Sequence, residues 1–201
     1  VIHALDHRFP GIRPVVEPDP FTALVRSISA QQVNLTWAAV TRRRLAEAFG
    51  QRHEIAGRVV YSYSPARLVT VEVDDIRRLQ FTTTKARSIL AVAASLLDGT
   101  LDPAMLAALS EDEVVSRLIV VYGIGRWSAE WYLARTLGRP VVVAGDLGVR
   151  KVVGAAYLGG ALPSESEARA ATAHWGGASG VAQQLLLHAL VEGLDIKALA
   201  G

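Results

Sequence analysis

Residues 118–131 read LIVVYGIGRWSAEW. An apolar helical run ends at Tyr122, Gly123-Ile124-Gly125 follows, and a new helix starts at Arg126. The pattern predicts a helix–hairpin–helix. Two glycines two apart allow a tight turn, a positive φ and the close approach of another molecule, because no Cβ intervenes. The amides of such a turn, and of the first turn of the next helix, point outward at the positive end of the helix dipole, which suits a phosphate oxygen. An ordinary corner between two helices, closed by glycine, gives the same pattern. Further on, Pro140 precedes VVVAGDLGVRK at 141–151, where Asp146 follows an apolar segment and stands just before a helical pattern.

The rest of the chain reads as helical almost throughout. Asp19-Pro20 is a start signal, with Asp as N-cap and Pro at the first helical position, and Phe21, Leu24, Val25 and Ile28 repeat at helical spacing. Asn34 opens a second helix that Gly50 closes. Ser64-Pro65 and Asp74 open two short helices, and Thr84 begins a longer one that stops near Gly99. Ser110 and Glu113 form a capping box ahead of the hairpin's first helix. Its second helix spans 126–137 and ends at Gly138 and Pro140; Asp146 or Leu147 starts the next, and 164–174 and 181–193 supply the last two. Val59-Val60-Tyr61 and Val141–Val143 could be strands, but neither has an obvious partner nearby.

Composition narrows the functional classes. The 201 residues suffice for one medium domain or two small subdomains. Apolar residues are 51% and aromatics 6%, with Ala, Leu and Val dominant, which suits closely packed helices. Zero cysteines exclude disulfides, a thiol nucleophile and a cysteine-ligated iron–sulfur cluster. The longest apolar runs are too short for a membrane span, and VIHALDHRFPG lacks the pattern of a signal peptide, so no membrane association is expected. The chain does not begin with Met, so a short segment is expected to precede Val1. A net charge of +2 does not by itself point to nucleic acid. Basic clusters at Arg42-Arg43-Arg44, Arg77-Arg78, Lys85/Arg87 and Arg150-Lys151 point that way, though a basic cluster on a helix is commonly a solvated face. His3 and His7 have a spacing that suits a metal on a helix, but they stand beside Pro10 and Gly11 with no third ligand, and a frayed terminus is expected there.

The pairing of GIGRWSAEWYL with VVVAGDLGVRKVV resembles the helix–hairpin–helix DNA glycosylases that carry a Gly/Pro-rich loop and a catalytic Asp, and within them the 3-methyladenine DNA glycosylase II type. Ile28-Ser29-Ala30-Gln31-Gln32-Val33 and Phe81-Thr82-Thr83-Thr84-Lys85-Ala86 match two further segments of that family, and the likeness covers roughly 18–195. The resemblance implies an all-α fold of two helical subdomains with the active site in the cleft between them. It groups approximately 1–60 with 165–201, and 61–164 with the hairpin, in a minimal version without the N-terminal β-rich domain of some relatives.

The same resemblance implies the chemistry. Breaking an N-glycosidic bond builds positive charge on the deoxyribose, and a carboxylate near C1′ stabilises it and orients water. Asp146 matches the family's catalytic Asp; by position alone it is equally a helix N-cap, and the two roles can coexist. Trp127 stands where relatives that also cleave the backbone hold a Schiff-base lysine, so the chain is expected to be monofunctional. Trp127 and Trp131 are expected to line the pocket, where aromatic faces favour a cationic alkylated purine, with core packing as the alternative for Trp127. Gln31 is expected at the substrate pocket and Gln32 on DNA, with buried polar groups as the alternative for both. A flipped nucleotide leaves a gap that Phe81 or Thr83 would fill. Gly123, Gly125, Arg126, Lys85 and Lys151 are expected near phosphates. No cofactor or catalytic metal is expected, though hairpin carbonyls could hold a monovalent cation. The expected partner is double-stranded DNA with a damaged base, met by a monomer in the cytoplasm if the source is prokaryotic.

Two departures stand out: Trp175–Gly180 lacks the Pro-x-Arg-Ser-like helix start of the relatives, and Leu190 replaces a pocket tryptophan that some of them carry. Both bear on substrate range. A glycosylase for another damaged or mismatched base, and a non-catalytic DNA-binding module, are the competing functions.

Overall fold

A computed structural model describes residues 1–199. The chain is helical apart from one small sheet and divides into two compact units, Glu17–Tyr132 and Val1–Val16 with the stretch from Leu133 onward.

The first unit begins with α1 (Pro20–Ala30), α2 (Leu35–Phe49), the strands β1 (Gln51–Ile55) and β2 (Arg58–Ser62), and α3 (Pro65–Leu68). It continues with α4 (Val73–Arg78), α5 (Thr83–Leu97), α6 (Pro103–Ala108), α7 (Glu111–Leu118) and the start of α8 (Arg126–Arg135). The caps explain the starts. The Asp19 carboxylate accepts the Thr22 N–H at 2.6 Å, Asn34 accepts that of Trp37 at 2.8 Å, and Thr82 that of Lys85 at 3.2 Å. Phe21, Leu24, Val25 and Ile28 are buried on α1, and Ala86, Ile89, Val92 and Ala93 on α5. The α1 residues, at i, i+3, i+4 and i+7, and the α5 residues, at i, i+3, i+6 and i+7, form the faces that join the two helices, and α3 and α4 also pack against α5. α2 ends at Gly50, where a Cβ would stand 2.3 Å from the Ala46 carbonyl oxygen.

Val59–Tyr61 does form a strand. Its partner is Gln51–Ile55, antiparallel and in register from Gln51↔Ser62 to Ile55↔Arg58. Ala56 and Gly57 both have positive φ, +51° and +73°, as a tight two-residue turn of this kind requires. Val141–Val143, by contrast, forms no strand.

The second unit contains α9 (Ile2–Arg8) at the start of the chain, then α10 (Leu147–Tyr157), α11 (Glu165–Thr172) and α12 (Ser179–Val191). α12 packs on both α9 and α10, and α10 also packs on α11. A 3-10 stretch, Ala173–Ala178, leads into α12 with Gly176 at φ +49°. Trp175 is buried there and donates its Nε1–H to the Tyr157 hydroxyl at 3.0 Å. Leu190 is exposed.

Two expectations change. The N-terminal residues are helical rather than frayed, and the His3 and His7 rings meet edge to face at 4.4 Å. Among the described residues no cluster of His, Cys, Asp and Glu suits a metal ion. The units also differ from the expected grouping of 1–60 with 165–201 and 61–164 with the hairpin. Because α1 packs on α2 and α5, residues 17–60 join the hairpin, and 133–164 join the C-terminal helices. No helix among the described residues is long and apolar enough to cross a membrane.

Candidate nucleic-acid interface and active site

The hairpin grows out of its capping chemistry. Ser110 Oγ accepts the Glu113 N–H at 3.4 Å, and Glu113 Oε2 accepts the Ser110 N–H at 2.9 Å, which starts α7. Val114, Val115 and Leu118 bury one face of α7. The turn then closes as Val121 donates to the Leu118 carbonyl at 3.1 Å and Ile124 to that of Val121 at 3.0 Å. Ile124 is buried, whereas Tyr122, Gly123 and Gly125 are exposed. The Gly125 carbonyl accepts the Ala129 N–H at 3.1 Å and so begins α8.

The two glycines do different things, which the sequence did not distinguish. Gly123 has φ +80°, and a Cβ there would stand 1.7 Å from Ser88 Oγ, so it is glycine because the turn lies against α5. Gly125 lies outside the left-handed region, and a Cβ there would meet nothing within 4 Å. Only an incoming molecule would encounter it.

Gln31 braces this turn. Its Nε2 donates to the Gly123 carbonyl at 3.1 Å and to Ser128 Oγ at 3.2 Å. These contacts give Gln31 a structural role beside the hairpin. Gln32 beside it is exposed, at φ +55°.

Three other expectations shift. Phe81 is 5% exposed and belongs to the core, so it is not available to fill a gap in DNA. Thr83, partly exposed at the first position of α5, remains. Arg126 donates from Nε to Glu130 Oε1 at 2.8 Å, and Glu130 is 2% exposed, so much of the arginine's charge balances a buried carboxylate. The sequence reading overlooked Glu130, although its spacing of four from Arg126 on one helix is a readable ion-pair signal. Lys85 donates from Nζ to the Ser29 carbonyl at 2.9 Å. Trp127 and Trp131 lie one turn apart on α8, each partly exposed.

Asp146 belongs to the other unit, as does the exposed Lys151. Asp146 caps α10: its Oδ1 accepts the Val149 N–H at 3.0 Å while the side chain stays partly exposed. The loop that delivers it is fixed from behind. Asp146 N–H donates to the Val143 carbonyl at 2.9 Å, and the Val143 N–H donates to Gln183 Oε1 at 2.8 Å. Arg169 Nη1 donates to the Val142 carbonyl at 3.3 Å. Gln183 is 3% exposed on α12 and has no local sequence signal, because its partner lies forty positions away. Gln183→Met keeps the volume but leaves the buried Val143 N–H without its acceptor. It should cost about 1–3 kcal/mol and lower Tm by roughly 3–10 °C, with faster hydrogen exchange at the Val143 amide. Unchanged Tm and exchange would refute the brace.

A glycine turn leading into a tryptophan-bearing helix, followed by a carboxylate that caps a later helix, defines a helix–hairpin–helix protein with a Gly/Pro loop and an Asp. Residues 25–177 match the family described as HhH-GPD superfamily base excision DNA repair protein, and the chain belongs to that superfamily. It is 30% identical over 134 residues to a DNA-3-methyladenine glycosylase of Bacillus subtilis (strain 168), a match covering 66% of this chain and 44% of that protein. Among solved structures, a 3-methyladenine DNA-glycosylase from Archaeoglobus fulgidus superposes with a TM-score of 0.86 at 25% identity, covering 96% of this chain and 66% of the other. The 8-oxoguanine glycosylase/lyase of Clostridium acetobutylicum shares the fold at a TM-score of 0.82 and 19% identity, covering 96% of this chain and 67% of the other. The chain spans about half the length of the curated relatives it matches.

Proposed function

We propose that the protein is a monofunctional DNA glycosylase that removes alkylated bases from double-stranded DNA, with Asp146 as the catalytic carboxylate. The observation that carries this reading is the geometry of Asp146: a partly exposed carboxylate whose rotamer is set by its own helix cap and whose loop is tied to the buried Gln183. A preorganised negative charge of this kind stabilises a developing cation without reorganising during the reaction. In the step it serves, the C1′–N bond breaks and its electron pair leaves with the base. A cationic alkylated purine therefore departs neutral. Water then adds at C1′ and gives up a proton, leaving an abasic site.

The other roles follow from each residue's own surroundings. Trp127 and Trp131 offer indole faces to an electron-poor base. Thr83 is the residue for the gap left by the flipped nucleotide. The amides after Gly125 meet a backbone phosphate, and a monovalent cation on the hairpin carbonyls would add positive charge there. Gln32 and Lys151, both exposed, are available to the DNA backbone.

The fold alone does not decide between hydrolysis and lyase chemistry, because a glycosylase/lyase shares it. The indole at position 127 supports hydrolysis, since it cannot form an imine. Incubation with lesion DNA and borohydride should trap no covalent complex, and strands should break only after alkali. A trapped adduct would overturn the monofunctional reading. The reading as a whole is tested with a panel of single-lesion duplexes. Release of 3-methyladenine or 7-methylguanine is expected; release of only an oxidised or mismatched base would move the substrate class, and no release would leave a DNA-binding module.

A further inference from the structure

Lys85 and Arg42 of the hairpin-bearing unit both reach the last turn of α1, with Arg26 beside Arg42, and none of the three is in an ion pair among the described residues. Ser29 is 1% exposed at their centre. Its carbonyl accepts a hydrogen bond from Lys85 Nζ at 2.9 Å, and its hydroxyl accepts one from Arg42 Nη1 at 2.8 Å. Arg26, one turn earlier on the same helix, contributes a third charge. Burial, and after it the neighbouring Arg26, hold the Arg42 guanidinium below its ordinary value, and burial lowers the Lys85 ammonium. Among the described residues the ion pairs use Arg13, Arg43, Arg52, Arg77, Arg78 and Arg126, and none of these three.

Capping a helix does not account for this. A helix C-terminus carries about half a negative charge, which one cation satisfies. Lys85 already does so through the Ser29 carbonyl. Arg42 and Arg26 are not needed for that cap, and although Tyr63, on which Glu17 and Asp19 act, lies beside them, neither is held in an ion pair among the described residues. The donors for an anion exist. An ammonium has three and a guanidinium five, and Lys85 and Arg42 each spend one on Ser29. The position is also informative. Lys85 lies one helical turn before Ser88, the residue against which Gly123 rests, and Gln31, two residues past Ser29, holds the Gly123 carbonyl. The cationic centre therefore adjoins the hairpin turn.

We propose that Arg26, Arg42 and Lys85 form a second phosphate site, separate from the hairpin amides, that takes a phosphodiester of the bound DNA; this rests on the glycosylase reading. The double variant Arg42→Gln/Lys85→Gln is titrated with undamaged duplex by fluorescence anisotropy at several salt concentrations. Affinity should fall roughly tenfold at low salt, and the slope of log K against log salt should flatten by about 1, the value for one lost phosphate contact. Arg43→Gln, at an exposed residue paired with Glu47 at 3.8 Å, should behave as the parent. Arg26→Gln, at an exposed position, carries the same test if the double variant does not fold. A folded variant with the parent's affinity and slope overturns the proposal. So does a variant that loses thermal stability with its slope intact, which would leave the cations as a helix cap. Inorganic phosphate that raises the parent's Tm while the variants' DNA slope is unchanged would mark a small-anion site and also overturns it. A parent that binds no duplex fails the glycosylase reading itself, a result distinct from these.

Discussion

Asp146→Asn should reduce single-turnover base release by at least about 10³-fold, equivalent to about 4 kcal/mol of transition-state stabilisation. The substitution isolates charge. Asparagine is as good an N-cap as aspartate, so the bond from the Val149 N–H survives and Tm should stay within a few degrees. Affinity for a lesion duplex should hold or rise slightly, because a negative charge facing phosphates has been removed. Excision and affinity are measured on the same duplex. Near-parental excision would remove Asp146 from the mechanism and leave it as a cap. Loss of excision together with a large fall in Tm would mean that the cap had been damaged, and Asp146→Ser, which caps without a carboxylate, would then decide the matter.

The paired glycines should separate folding from binding. Gly123→Ala meets Ser88 at 1.7 Å and must hold φ +80°. It should cost about 2–4 kcal/mol and lower Tm by roughly 5–15 °C. Gly125→Ala meets nothing and keeps an ordinary φ, so it should unfold like the parent. It should nevertheless weaken binding to damaged and undamaged duplex alike by roughly 5–10-fold, with a shallower salt slope, because phosphate contacts position without reading sequence. Thermal unfolding and duplex titrations of both variants provide the check. A Gly125→Ala protein that binds undamaged DNA as tightly as the parent would make the hairpin a structural corner only.

Much of the architecture was legible because helix starts are local. Asp19-Pro20, Asn34 and the Ser110/Glu113 box act within four residues of themselves, and each caps the expected helix. The hairpin was legible for the same reason. Long-range chemistry was not. Nothing near Gln31 announces that its amide will reach the Gly123 carbonyl, and nothing near Gln183 announces the Val143 amide. Phe81 and Thr83 were equally good candidates for the gap in DNA by sequence, and burial separates them, since Phe81 is 5% exposed. The β1–β2 pairing was missed because the turn Ala56-Gly57 puts an alanine where Asn or Asp usually marks such a turn.

That turn also gives the protein a handle. Ala56 is exposed at the tip of a ribbon, and the chain contains no cysteine. A single Ala56→Cys substitution would therefore create the sole thiol in the molecule, on a loop tip of the kind that tolerates alteration. One fluorophore or spin label could be attached there without a background of competing sites. The reporter would sit on the hairpin-bearing unit while leaving Gly125, Thr83 and the two indoles of α8 unaltered, so that encounters with duplex could be timed rather than only weighed at equilibrium.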